Sequence, residues 1–126
     1  MTDDLKAIEA VLQTYFDGLY EGSTAKLAAA FHPTADLRSA GDDGELAILP
    51  RAAWLEAVGN RPSAQSRDLP RHDWIVSIDR SGPNTAFAKV HCQIPPRYFT
   101  DYLVLAKLKD GWKIVSKTFH TETRQA

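Results

Sequence analysis

The feature that most constrains this chain is a change of apolar period half-way along it. Between residues 5 and 20 the apolar side chains are Leu5, Ile8, Val11, Leu12, Tyr15, Phe16 and Leu19, the i, i+3, i+4, i+7 stripe of a helix with one buried face. Residues 73–79, 85–94, 98–108 and 112–121 are instead rich in β-branched and aromatic side chains and are parted by turn formers, the pattern of four antiparallel strands. Helices first and strands later specify an α+β fold, amphipathic helices covering a curved, mainly antiparallel sheet.

The segments between these blocks fill in the order. Gly22 stops the first helix, and residues 24–31 read as a shorter second helix with Leu27, Ala30 and Phe31 on one face, ended by His32-Pro33. Residues 35–39 read as extended, Gly41-Asp42-Asp43-Gly44 as a turn and residues 45–49 as a strand. Pro50 begins a third helix that carries Trp54, Leu55 and Val58 and ends near Gly59. Residues 60–71 have neither period, and a loop this long in a small chain reads as a lid or mobile edge.

Bulk properties narrow the class. A length of 126 residues, 44% hydrophobic and 25% charged, suits a single globular domain spanning residues 1–126. With 15 basic and 16 acidic side chains the formal net charge is -1, so no excess of cations drives binding to nucleic acid. The one cysteine, Cys92, has no disulfide partner within the chain, which favours a reducing, cytoplasmic setting. The acidic start Met1-Thr2-Asp3-Asp4 is unlike a secretory signal, and no apolar run approaches the roughly 20 residues of a membrane span. Phosphate-binding glycine loops, a nucleophile elbow and metal-ligand spacings are absent from the sequence, so no cofactor and no metal is expected.

The order of elements, with Val11-Leu12-Gln13-Thr14-Tyr15-Phe16 and Phe31-His32-Pro33-Thr34-Ala35, resembles the nuclear transport factor 2-like superfamily over nearly the whole chain. More narrowly, Thr100-Asp101-Tyr102-Leu103 leading into Gly111-Trp112-Lys113-Ile114-Val115 and Lys117-Thr118-Phe119-His120 is similar to the sub-family described as putative lumazine-binding, which is close to the ketosteroid isomerase-like proteins. The resemblance implies a cystatin-like, cone-shaped sheet around the first helix, a pocket at the open end and a homodimer built on the sheet. It does not by itself imply a reaction, because the superfamily holds enzymes and binding modules alike.

Three groups of residues are candidates for a site. Tyr15 lies where the similar steroid isomerases place a tyrosine that steadies an enolate oxygen, a task a phenol performs from within an apolar pocket; the alternative is a core aromatic. Alignment through Phe31 and Ala35 puts Ser39 where those isomerases carry a proton-shuttling aspartate, and serine does not serve as that base unaided. Asp101 and His120 form the second group. With Asp110-Gly111 as a two-residue turn they face each other, and the carboxylate would orient the imidazole as a general acid or base; with a longer, bulged turn His120 pairs with Thr100 and Asp101 lies beside Phe119. In the third group, a turn at Ser81-Gly82-Pro83-Asn84 sets Trp74 opposite His91 and His72 opposite Gln93 on one side of the sheet, suited on a concave face to a planar ligand. Trp54 would roof the mouth. Lys107, Lys113 and Lys117 follow strand alternation and read as an outer face without chemistry.

These observations converge on a protein that binds a small apolar or planar molecule through Tyr15, Trp54, Trp74, His91, Tyr102 and His120. The alternative is a cofactor-free acid/base enzyme of isomerase, dehydratase or cyclase type acting through Asp101, His120 or His91, and Tyr15. A third reading is a non-catalytic dimerisation module with a filled cone.

Overall fold

The structure, a computed structural model, describes residues 2–124. Helix α1 (Thr2–Glu21) is followed by α2 (Thr24–Ala30), strands β1 (Asp36–Ala40) and β2 (Leu46–Pro50), helix α3 (Arg51–Gly59), and strands β3 (Trp74–Ser81), β4 (Thr85–Ile94), β5 (Arg97–Leu108) and β6 (Gly111–Thr123). The six strands form one sheet in the order β2-β1-β6-β5-β4-β3, antiparallel except where β1 runs parallel to β6. The sheet curls around α1 without closing, since β2 and β3 are both edges.

The apolar stripe of α1 accounts for the core. Ile8, Leu12, Tyr15, Phe16 and Leu19 are all buried against the concave face. At about 25 cal/mol per Å² of apolar surface removed from water, burial of such side chains is the dominant stabilising contribution. Leu5, the first residue of the stripe, lies at the helix end and is 44% exposed. Gly22 takes φ +69, which releases the chain from α1, and Ser23 caps α2 by accepting the Lys26 amide at 3.2 Å.

The long connection from residue 60 to 73 is not a free lid. Ala64 is buried, the Tyr20 hydroxyl donates to the Leu69 carbonyl, and Arg71 bonds Asp17 at 2.7 Å, so this segment is tied to α1. Its lack of period reflects three isolated anchors rather than mobility.

Two bulges set the faces of the sheet. In β6, Ile114 pairs with Leu105 but Ser116 pairs with Val104, which leaves Val115 unopposed. A bulge of this kind reverses the alternation beyond it. Trp112 and Ile114 therefore face inward on even numbers, whereas Lys117 and Phe119 face inward on odd ones. In β3 the register shifts between Ile75 and Ser77.

Candidate functional site

Three inward-facing residues meet beneath α3. Asp101 on β5 and Lys117 on β6 are 0% and 5% exposed, an uncommon placement for charged side chains. Tyr15, from the middle of α1, lies between them. The Lys117 ammonium donates to the Tyr15 oxygen at 2.8 Å, and the Tyr15 hydroxyl donates to Asp101 Oδ2 at 2.5 Å. The same carboxylate oxygen lies 3.8 Å from Lys117 Nζ and accepts the Cys92 thiol at 3.5 Å. The three groups thus form a short chain of donors and acceptors running from ammonium to carboxylate.

The surroundings fix the state of each group. Burial, and then the negative charge of Asp101, hold the Tyr15 hydroxyl well above its ordinary pKa, so it stays a proton donor across the neutral range. Burial and Asp101 raise the Cys92 thiol in the same way. The Lys117 ammonium sits 5.1, 5.0 and 4.9 Å from the ring centres of Tyr15, Trp54 and Phe119, an aromatic box whose ring faces attract a cation. Trp54 is positioned by edge contact with Phe31 at 5.0 Å, and Phe31 by Tyr15 at 5.3 Å.

Lys117 is also the polar floor of a cavity of about 180 Å³. Its apolar wall is formed by Leu37, Trp54, Ile94, Phe99 and Phe119 among others, with Arg61 and Arg97 at the rim. A larger hollow of about 580 Å³ between α2 and the β5–β6 turn is open, and no buried charged group lines it. The smaller cavity, apolar with a few convergent polar groups, has the character of a ligand site.

The predicted site residues divide between the two faces. Tyr15, Trp54 and Asp101 gather at the inner site. Asp101 does not face His120: Thr100 pairs with His120 and Asp101 with Phe119. The turn is a two-residue one at Lys109-Asp110, with Leu108 opposite Gly111, and the bulge at Val115 then supplies the remaining shift. His120 therefore projects from the outer face, and the Asp101–His120 proton relay is corrected. Trp74 does pair with His91, the rings tilted at a centre-to-centre distance of 4.7 Å with His72 on Trp74 at 4.3 Å, and Tyr102 stacks on Phe87 at 6.1 Å. These groups too lie on the outer face, because Val90, Cys92 and Asp101 between them turn inward. Placement of Trp74, His91, Tyr102 and His120 on the concave side is corrected for that reason. Ser39 remains on β1, two residues from the inward Leu37.

Lys117 is the residue that strand alternation assigned to the wrong side. Without the bulge it would share the outer face with Lys113. Its signal in the sequence is weak, although the apolar even positions of β4, from Ala86 to Ile94, do mark the inner face of the neighbouring strands.

Comparison with known proteins identifies the family and the fold. The family model described as "Putative lumazine-binding" matches residues 3–120. The chain belongs to that family. Its fold is that of the nuclear transport factor 2-like superfamily: a nuclear transport factor 2-like protein of unknown function from Methylobacillus flagellatus superposes with a TM-score of 0.83 at 28% identity, covering 98% of this chain and 95% of that one. A second such protein, from Shewanella baltica, gives 0.84 at 26% identity with 98% and 97% coverage. In sequence, the family member described here is 24% identical to the aldolase FrzH of Cladobotryum sp. over 98% of its own length and 95% of the relative's. Among the described residues no group of three or more His, Cys, Asp or Glu could hold a metal ion, and no helix is long and apolar enough to cross a membrane.

Proposed function

We propose that this protein binds a compact, apolar or planar small molecule in the cavity beneath α3, with Lys117 as the polar contact at its floor. The observation that carries the reading is the cavity itself: aromatic and aliphatic walls converge on one buried ammonium that is already held in place by Tyr15 and the rings of Trp54 and Phe119. A pre-formed, largely apolar pocket with a few fixed polar groups is what orients a small ligand. Native mass spectrometry of freshly purified protein is expected to show a retained molecule. A clean mass of the bare chain together with no thermal shift across a ligand panel counts against it.

A second reading, acid/base chemistry on a carbonyl group, is favoured by the chain from Lys117 through Tyr15 to Asp101. A carbonyl oxygen in the cavity would meet the ammonium, which would stabilise a developing enolate as the α-proton passes to a solvent base at the open mouth, while Tyr15 and Asp101 behind it hold the ammonium in position. The similarity to a relative named as an aldolase supports this reading. Exchange of α-hydrogens for deuterium in a panel of small ketones, lost in Lys117→Met, tests it; exchange that persists in the variant refutes it.

We further propose a cytoplasmic homodimer built on the outer sheet face. In support, Trp74, Val76, Tyr102 and Val104 there are 36–44% exposed in a single chain. A sedimentation mass of one chain at micromolar concentration would end that proposal.

A further inference from the structure

The charges around the cavity are unbalanced. Arg61, at the end of α3, and Arg97, at the start of β5, both line the 180 Å³ cavity and also a neighbouring hollow of about 100 Å³, where Arg67 is a third cation. No aspartate or glutamate lines either space. Among the described residues none of these three guanidiniums forms an ion pair. This concentration of positive charge stands out in a chain whose formal net charge is -1. Lys117 differs, since its charge is opposed by Asp101 and one of its protons is committed to Tyr15.

We propose that the cavity takes a small aromatic or apolar carboxylic acid, its body between Trp54, Phe99 and Phe119 and its carboxylate at the rim on Arg61 and Arg97. The inference rests on the cavity being the ligand site. Guanidinium forks match a planar carboxylate, and an anion between them relieves the repulsion between two like charges, one half-buried on Arg61 and one exposed on Arg97. Burial, and then the charge of Arg97, hold the Arg61 guanidinium below its usual range. The Arg97 guanidinium already lies 5.7 Å over Phe99, joining the cationic rim to the aromatic wall. A cavity of roughly 150 Å³ accommodates benzene, so the available space admits one ring with a short substituent.

Phenylacetate and its neutral counterpart phenylacetamide are the probes, titrated by calorimetry into the wild-type protein and into Arg61→Gln/Arg97→Gln. Charge-assisted hydrogen bonds predict that phenylacetate binds at least about tenfold more tightly than the amide at low salt, with the preference shrinking as salt rises. The double variant should bind the two probes about equally, the loss falling mainly on phenylacetate. Equal affinities in the wild type at low salt, or a preference that survives in the double variant and so places the anion on Lys117, overturns the proposal. Failure of both probes to bind counts against the carboxylate and the pocket together, whereas amide binding without carboxylate preference removes only the former. Where the double variant does not fold, Arg97→Gln alone, at an exposed position, should weaken phenylacetate more than the amide, and an unchanged preference overturns the proposal.

Discussion

Replacing Lys117 by methionine tests whether a buried charge pair sits at the heart of this fold. The substitution keeps the length of the side chain and removes its charge, leaving the fully buried Asp101 carboxylate with the Tyr15 hydroxyl and the Cys92 thiol as its donors and no cation. Breaking a buried pair on one side costs about 3–5 kcal/mol, because the remaining charge is stranded in a medium that solvates it poorly. That is a large share of the roughly 5–15 kcal/mol that stabilises an ordinary domain. At an m-value of about 2 kcal/mol/M the urea midpoint should fall by about 1.5–2.5 M, read by tryptophan fluorescence. The exposed Lys109→Met should remain within about 0.5 kcal/mol of the wild type. The double variant Lys117→Met/Asp101→Asn should recover most of the loss, since the neutral amide oxygen still accepts from Tyr15 and no stranded charge remains. A cost for Lys117→Met no greater than that for Lys109→Met would show that Lys117 does not sit against Asp101, and would refute the reversal of alternation at Val115.

Three further outcomes follow from the same physical picture. The Cys92 thiol and Tyr15 hydroxyl are both raised by burial and then by Asp101, so each binds its proton more tightly folded than unfolded; their contribution to stability should be constant below about pH 8.5 and fall above it as the unfolded thiol ionises. Iodoacetamide at pH 8 should accordingly leave the native thiol unlabelled and modify it only in urea; rapid native labelling contradicts its burial. Asp4, depressed by its bond to Lys107 and then by the Trp112 indole, adds stability above its unfolded value near pH 3.9 that is lost as pH falls through the lower folded value. A carboxyl carbon titration by NMR should give a midpoint below 3.9, and one at or above it dissolves the clamp between α1 and the last hairpin. Gly22→Ala should cost about 1–2 kcal/mol because φ is +69 and a Cβ would lie 2.8 Å from the Ser63 side chain, whereas an unchanged urea midpoint would mean that the chain leaves α1 by another path.

The elements were legible because each carries its period in its own residues. The stripe from Leu5 to Leu19 needs nothing beyond helical spacing, and both hairpin turns are marked by residues that favour them, although the last is a two-residue turn at Lys109-Asp110 rather than at Asp110-Gly111. The faces of the strands were less legible, because a bulge has no composition of its own. Val115 looks like any strand valine, yet its insertion moves Lys117 from solvent into the core and sets His120 outside. The pairing of Trp74 with His91 does not follow from the hairpin, where Ser81 faces Thr85 and an unbroken register would set Trp74 opposite Cys92; the bulge between Ile75 and Ser77 restores it, and pairing says nothing about which side is concave. The alternation of Ala86, Ala88, Val90, Cys92 and Ile94 with Thr85, Phe87, Lys89, His91 and Gln93 held that information, and it places the histidine outside. Tyr15 and Asp101 were individually visible; the lysine that joins them to a cavity depends on a backbone irregularity that only the folded chain reveals.

The most direct measurement is amide, indole and methyl chemical-shift mapping by NMR while a panel of small planar acids and their neutral analogues is added to the full-length protein. The account predicts shifts concentrated on the Trp54 indole, Leu37, Ile94, Phe99, Lys117 and Phe119. Shifts confined to Trp74, His91 and Tyr102 on the outer face, or none across the panel, would contradict it.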